Sequence, residues 1–232
     1  MTTHCSDPCP LCSGYNIQHF SQDKKRNYWQ CQACDLVFVD KSQQLNHDDE
    51  KAVYQQHENN PEDAGYRKFL SRMSQPMLER ILPDSHGLDF GCGPGPTLSL
   101  MFEEAGHRMA IYDPYFANNP EALKQPYDFI TSTEVFEHLS APKQVLEQLI
   151  PILKPGGWLG LMTKRVIDQD AFKSWHYKND PTHITFFSEQ TFHWIAQHYL
   201  LELTLVDQDV ALLQKPLCHG IAINSTVPDK KK

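Results

Sequence analysis

From Tyr66 onward the apolar positions alternate between a helical and a strand period. Up to Leu82 they recur at Phe69, Leu70, Met73, Met77, Leu78, Ile81 and Leu82, the spacing of an amphipathic helix, with Pro76 as a candidate kink. A short strand at Leu88–Phe90, a glycine loop and a helix from about Thr97 to Ala105 follow, and Gly106 ends that helix. Strands are predicted at Arg108–Tyr112, Asp128–Ser132 and Trp158–Thr163, with a helix over Pro142–Leu153. Ser188 reads as an N-cap, with Thr191 three residues on, for a helix to about Tyr199. Leu201–Val206 and Val210–Gln214 read as two strands joined by the turn Asp207–Asp209. Strands alternating with helices predict an α/β fold on a parallel sheet. The closing hairpin adds an antiparallel edge to it.

The chain before Tyr66 follows neither period. Cys9-Pro-Leu-Cys12 and Cys31-Gln-Ala-Cys34 are two C-x₂-C pairs, with the stretch from Ser13 to Gln30 between them. Four thiolates at that spacing match a closed, structural tetrahedral zinc site, and a segment of about 40 residues gains from such a staple. Reduced cysteines in a loop, or a redox pair, are the competing readings. Cys5 is spare, and His4 and His19 are weaker ligand candidates. The polar stretch from Lys41 to Gly65 reads as a linker or a loosely packed helix. The organisation expected is a zinc-ribbon-like domain over 1–40, a linker or cap over 41–65, a main domain over 66–216 and a tail over 217–232.

Composition narrows the function classes. The 232 residues carry a formal charge of −8, which argues against holding nucleic acid by bulk electrostatics. Basic runs are limited to Lys24-Lys25-Arg26 and Lys230–Lys232. No apolar run reaches the roughly 18 residues of a membrane helix, and the N-terminus has no signal-like pattern. A cytoplasmic protein with reduced or metal-bound cysteines is therefore expected.

The glycine loop carries the first chemistry. Residues 88–95, L-D-F-G-C-G-P-G, follow a strand and open a helix, with Gly91, Gly93 and Gly95 free to bring bare backbone against a ligand. Pro96 occupies the place of the third glycine of the dinucleotide fingerprint, which makes a nicotinamide-dependent oxidoreductase a poor reading. Asp113 stands eighteen residues after Gly95 at the next strand end, where a carboxylate can accept both ribose hydroxyls. A turn shaped only for packing, with Asp113 capping a helix, is the alternative. Asp89 and Asp113 both fall at strand ends, where α/β sheets bind ligands. Cys92 reads as a small buried filler.

Taken together, residues 86–163 resemble the core of a class I S-adenosylmethionine-dependent methyltransferase. LDFGCGPG is similar to the family's first motif, IYDP (111–114) to its acidic second motif, YDFITSTEVFEHL (127–139) to its fourth strand and turn, and LKPGGWLGLMT (153–163) to the next loop and strand. The resemblance covers about residues 64–215, within the methyltransferase type 23, sugar C-methyltransferase-like group. It implies a Rossmann-like sheet and S-adenosylmethionine as cofactor, bound by Asp89, Gly91, Gly93, Gly95, Asp113 and Glu134, the last as a cofactor or loop-orienting contact. Tyr54, His57, Tyr66 and Arg67 are candidates to fold over the cofactor. One departure stands out. Only thirteen residues (114–126), three of them proline, separate Asp113 from Tyr127, too few for the usual helix and third strand.

A base is needed only if the acceptor must lose a proton. His138 follows the fourth strand and is one candidate. His183 is the other, in the aromatic stretch 175–188, where H-I-T-F-F-S resembles the H-x-x-Y-F-S signature of sugar C-methyltransferases, whose histidine is a proposed base. Phe186 stands in place of the signature tyrosine, which weakens the sugar C-methylation reading. His183 is read equally well as a staple bonded to backbone or to Asp180. A pocket beside Gly93 lined by Trp175, Tyr177 and Phe186, with His183 pointing in, is the expected geometry of a small acceptor site. The function expected is methyl transfer to a small-molecule acceptor. The alternatives are an RNA- or protein-modifying methyltransferase recruited by the ribbon, and a non-catalytic binding module.

Overall fold

The computed structural model describes residues 5, 7–54 and 59–217. It begins with three short antiparallel strands, β1 (Ile17–Gln22), β2 (Asn27–Cys31) and β3 (Val37–Val39). A single helical turn and helix α1 (His47–Tyr54) follow. Helix α2 (Ala64–Leu78) starts where Asp63 Oδ1 accepts the amides of Gly65 and Tyr66. It stops at Leu78, short of the apolar pattern's end at Leu82. Pro83 disfavours helical backbone at Leu82, the amides of Arg80 and Ile81 both turn back onto Met77 O, and Leu82 is exposed.

The main sheet contains β4 (His86–Phe90), β5 (Arg108–Tyr112), β6 (Tyr127–Thr133), β7 (Leu153–Met162), β9 (Glu202–Val206) and β10 (Val210–Gln214), in the order β5-β4-β6-β7-β10-β9. β4, β5, β6 and β7 run parallel, and β10 and β9 close the sheet antiparallel. β7 is longer than its apolar core suggests, because Leu153–Gly157 joins it through a register irregularity against β6. Residues 114–126 form no strand. They make a bridge between Asp113 and Ala117 and one helical turn at Pro120–Lys124, which Tyr127 Oη holds by donating to Ala122 O at 2.7 Å.

Alternation along β10 shows how the sheet is buried. Val210 and Leu212 pack with Leu70, Met73 and Met77 of α2 and with Leu98 and Phe102 of α3 (Thr97–Glu104). Ala211 and Leu213 face the other way, with Leu146 and Leu149 of α4 (Pro142–Ile152) and Phe192 and Ile195 of α6 (Glu189–Tyr199). α6 opens with a reciprocal cap between Ser188 and Thr191, as its sequence predicts.

The N-terminal strands belong to the same body. Leu11, Trp29, Leu36 and Phe38 join the core cluster of α4 and α6. β8 (Thr185–Phe186) pairs with β3 and makes a four-stranded sheet, β1-β2-β3-β8. A second apolar cluster fills the space beneath, with Phe20, Tyr28 and Val37 meeting Phe172 of α5 (Gln169–Ser174), Tyr177 and Phe186. Trp175 packs against it. Tyr177 and Phe186 are thus core residues, with Trp175 half-buried against them, and none of the three is the pocket wall expected. A strand edge and a helix already claim their faces.

Candidate functional site

One cavity of about 830 Å³ opens at the C-terminal ends of β4, β5 and β6, the place where open α/β sheets bind ligands. Asp89, Gly91, Gly93, Asp113, Glu134, His138 and His183 all line it. Gly95 does not. A β-carbon there would sit 1.9 Å from the carbonyl oxygen of Asn59, so this glycine lets the segment before α2 cross the loop. Gly93 has φ +65°, in the left-handed region, and its amide donates to Asp113 Oδ2 at 3.0 Å. Asp113 Oδ1 accepts the amides of Tyr115 and Phe116 at 2.8 and 3.0 Å. Asp113 therefore fixes both the glycine loop and its own turn while lining the cavity.

Asp89 is buried in the same wall and accepts a hydrogen bond from Thr131 Oγ1 at 2.9 Å. Burial pushes its carboxyl up to about 7. Cys92 is buried between these carboxylates, as a filler should be, and burial raises its thiol to about 12. The aromatic wall comes from Tyr54, Tyr66, Phe69, Tyr112, Tyr115 and Phe116. Glu50 of α1 accepts both Tyr54 Oη at 3.0 Å and Tyr115 Oη at 3.3 Å, which lays α1 across the opening. Arg67 lies elsewhere, bonded to Pro61 O and paired with Glu104. His57 falls outside the described residues.

The same cavity holds two imidazoles. His138 closes a helical turn at Phe136–His138, well before α4, and does not begin a long helix. Val135 and Leu139 bracket that turn, and Pro142 delays α4 to the next one. The rings of His138 and His183 meet edge to face at 4.7 Å between centroids. His138 Nδ1 lies 3.2 Å from Thr182 O, and His183 Nδ1 lies 2.7 Å from Tyr177 O. His183 is only 8% exposed, and burial with His138 beside it holds its basicity below the usual range. Both features read from the sequence, staple and cavity-facing ring, belong to this one residue.

Beneath the imidazoles lie two carboxyls: Glu134, expected from the sequence as a cofactor or loop contact, and Glu137 beside it; what the sequence did not show is that both meet Tyr177. Tyr177 Oη donates to Glu137 Oε1 at 2.6 Å and lies 3.2 Å from Glu134 Oε2. Burial pushes both carboxyls up. Glu134 adopts φ +52°, a strained value for a non-glycine residue, with its amide tied to Met162 O at 2.8 Å. Arg26 was also missed. It is buried, and its guanidinium donates to His183 O at 3.0 Å, Asp180 O at 3.1 Å and Pro181 O at 3.3 Å, as well as to Lys178 O. The basic run read as surface thus contains a clamp on the His183 loop. Nothing in a Lys-Lys-Arg triplet signals that. Lys230–Lys232 lie outside the described residues.

Outside this cavity, Cys9, Cys12, Cys31 and Cys34 converge with all four sulfurs within 4.8 Å of one another. The two knuckles repeat each other. Ser13 and Asp35, next after Cys12 and Cys34, take φ +61° and +62°, and their amides donate to Cys9 O and Cys31 O at 2.9 Å each. His19 packs edge-on against Trp29 and is not part of the sulfur cluster. His4 falls outside the described residues.

A family model described as a methyltransferase domain matches residues 57–206. The chain belongs to that methyltransferase family. The methyltransferase is 32% identical over 71 residues to a ubiquinone biosynthesis O-methyltransferase of Serratia proteamaculans, a stretch that covers 31% of this chain and 30% of the relative. A protein of the same name from Photorhabdus laumondii is 31% identical over 74 residues, covering 32% of this chain and 31% of the relative. The methyltransferase thus matches under a third of the length of these curated relatives. Among solved structures, a 1,6-didemethyltoxoflavin-N1-methyltransferase of Burkholderia thailandensis with bound S-adenosylhomocysteine aligns over 86% of this chain and 99% of its own, at 13% identity and TM-score 0.49. An S-adenosylmethionine-dependent methyltransferase from Archaeoglobus fulgidus aligns over 64% and 94%, at 16% identity and TM-score 0.49. Among the described residues, no helix is long and apolar enough to cross a membrane.

Proposed function

We propose that this methyltransferase moves a methyl group from S-adenosylmethionine to a hydroxyl of a small-molecule acceptor. The observation that carries the reading is one cavity lined by two chemically different sets of groups: a glycine loop with Asp89 and Asp113, and a pair of facing imidazoles. The two sequence relatives are both O-methyltransferases by name, which supports the oxygen acceptor. In this reading Asp113 takes the ribose hydroxyls. Asp89 faces the cationic end of the cofactor, and Gly91 and Gly93 let it approach the backbone. Gly95 keeps Asn59 in place, and Glu134 orients the turn that carries His138. His183 and His138 activate the acceptor. Transfer is an in-line displacement, so alignment and exclusion of water, by α1 and the aromatic wall, supply most of the rate. A labelled methyl donor incubated with cell extracts should place label in the small-molecule fraction. Label in RNA or protein would overturn the reading.

Asp89 gives this reading a pH signature. Its carboxyl, raised to about 7, is partly protonated in the empty cavity at neutral pH. A cationic ligand favours the ionised form, so binding releases a proton and affinity rises as pH increases from about 6 to about 8. Calorimetry in buffers of different ionisation enthalpy measures that release, and Asp89→Asn should abolish it.

We also propose that the four cysteines hold one structural zinc ion. The converging sulfurs and the twice-repeated knuckle support this, and the fully occupied ligand set would serve folding and not catalysis. Elemental analysis should find about one zinc per chain, lost in Cys9→Ser or Cys34→Ser. Because Arg26 clamps the His183 loop, those variants should bind S-adenosylmethionine almost normally but lose acceptor turnover. Equal loss of both would place the ribbon under the whole fold.

A further inference from the structure

We propose that Glu137, His138 and His183 form a second metal site, for one divalent transition-metal ion at the acceptor end of the cavity. The ligating atoms of these three side chains lie within 4.8 Å of one another. His138 Nε2 stands 3.9 Å from Glu137 Oε1. Both imidazoles turn Nδ1 toward a backbone carbonyl, at 3.2 Å from Thr182 O and 2.7 Å from Tyr177 O. A carbonyl only accepts, so Nδ1 carries a hydrogen, and in the neutral ring the lone pair is then on Nε2. That is the tautomer and outer support found for metal-bound histidine. Glu137 is fully buried, and Tyr177 Oη donates to its Oε1 at 2.6 Å while its Oε2 makes no hydrogen bond among the described residues. A buried carboxylate so placed is costly unless a cation compensates it.

Two nitrogens and one carboxylate on one side of an ion suit manganese, iron, cobalt, nickel or zinc, and differ from the four sulfurs of the N-terminal site. Ligands of a single ion stand roughly 3–3.5 Å apart, so the three groups close on it by a small tilt of each. His138 and His183 also line the cavity, so the remaining coordination positions face the space reserved for the acceptor. This inference rests on the methyl-transfer reading and specifies how the imidazoles act: through a shared ion that makes the acceptor hydroxyl more acidic. The hydroxyl proton leaves to water, the new O–CH₃ bond forms as the S–CH₃ bond breaks, and S-adenosylhomocysteine is released.

The test is a cobalt(II) titration of the full chain purified with its zinc in place. One further equivalent should bind, with weak visible bands of a nitrogen and oxygen site and without intense thiolate charge-transfer absorption. His138→Gln and His183→Asn should each weaken it by about a hundredfold, and Glu137→Gln by about tenfold or more. Circular dichroism confirms that each variant is folded. Absence of cobalt binding, binding equal in folded variants, or absorption of thiolate type alone would overturn the site. Calorimetry with S-adenosylmethionine, run on the same samples without cobalt, keeps the two readings apart: its failure sinks methyl transfer, and its success leaves the metal to be judged by cobalt alone.

Discussion

Calorimetry on Gly93→Asp is expected to show S-adenosylmethionine affinity lower by about a hundredfold or more, roughly 2.7 kcal/mol. Three effects add there. At φ +65° any L side chain is strained. Its β-carbon would lie 2.9 Å from Asn59 Nδ2. The new carboxylate would then enter the cavity at the point where the ligand meets bare backbone, beside Asp113. Gly106→Ala is the control. That residue also has positive φ, at +89°, but nothing lies within 4 Å of its added β-carbon. It should cost about 1 kcal/mol of stability and leave cofactor affinity unchanged. If Gly106→Ala weakened binding as much as Gly93→Asp, the loop would be acting through global stability and not through the site.

His183→Ala is expected to lower turnover by about 10²–10⁴ at nearly constant cofactor affinity. The ring is anchored by Tyr177 O, packs on Tyr177 at 4.2 Å and faces His138, with no hydrogen bond or ring contact to the glycine loop among the described residues. Removing it deletes chemistry at the acceptor and not at the cofactor. Arg26 still holds the loop carbonyls in this variant. A fall in cofactor affinity parallel to turnover would reduce His183 to a staple. Single-turnover kinetics with calorimetry on the same preparation separates the two.

The alternation of strand and helix was legible because the parallel strands from Leu88 onward have glycine, proline or charged residues at their ends, and helix ends carry local signals. Ser188 and Thr191 are the clearest case, since the cap is local chemistry. The carboxylates and imidazoles of the cavity were legible for a related reason: strand ends are local, and the parallel sheet brings them to one edge. What was not legible depends on pairs far apart in the chain. β8 is two residues long, has no pattern of its own and exists because β3 offers an edge. The inward turn of Tyr177 toward Glu137, and the loss of Trp175 and Phe186 to the core, follow from that pairing. Arg26 reads as a solvated charge until the carbonyls of residues 178–183 are placed around it. The end of α2 at Leu78 marks the opposite failure, in which a pattern of apolar residues outlasts the backbone that carries it.

The pairing of β3 with β8 has a consequence for synthesis. Phe38 is made early and its partner Thr185 late, with most of the main sheet encoded between them. At about 5–20 residues per second, the second arrives roughly 7–30 s after the first. During that interval Val37-Phe38-Val39 is a short apolar strand with an unpaired edge, the kind of surface that recruits a wrong partner. Its local twin β2 and the cysteine knuckles need only the chain up to Val39, so the ribbon can set early and present that edge in one fixed orientation. Ribosome-bound chains halted before Asp180 should therefore be the most aggregation-prone intermediates, and under the proposed zinc assignment metal supply during translation should govern how many of them go on to close the acceptor loop.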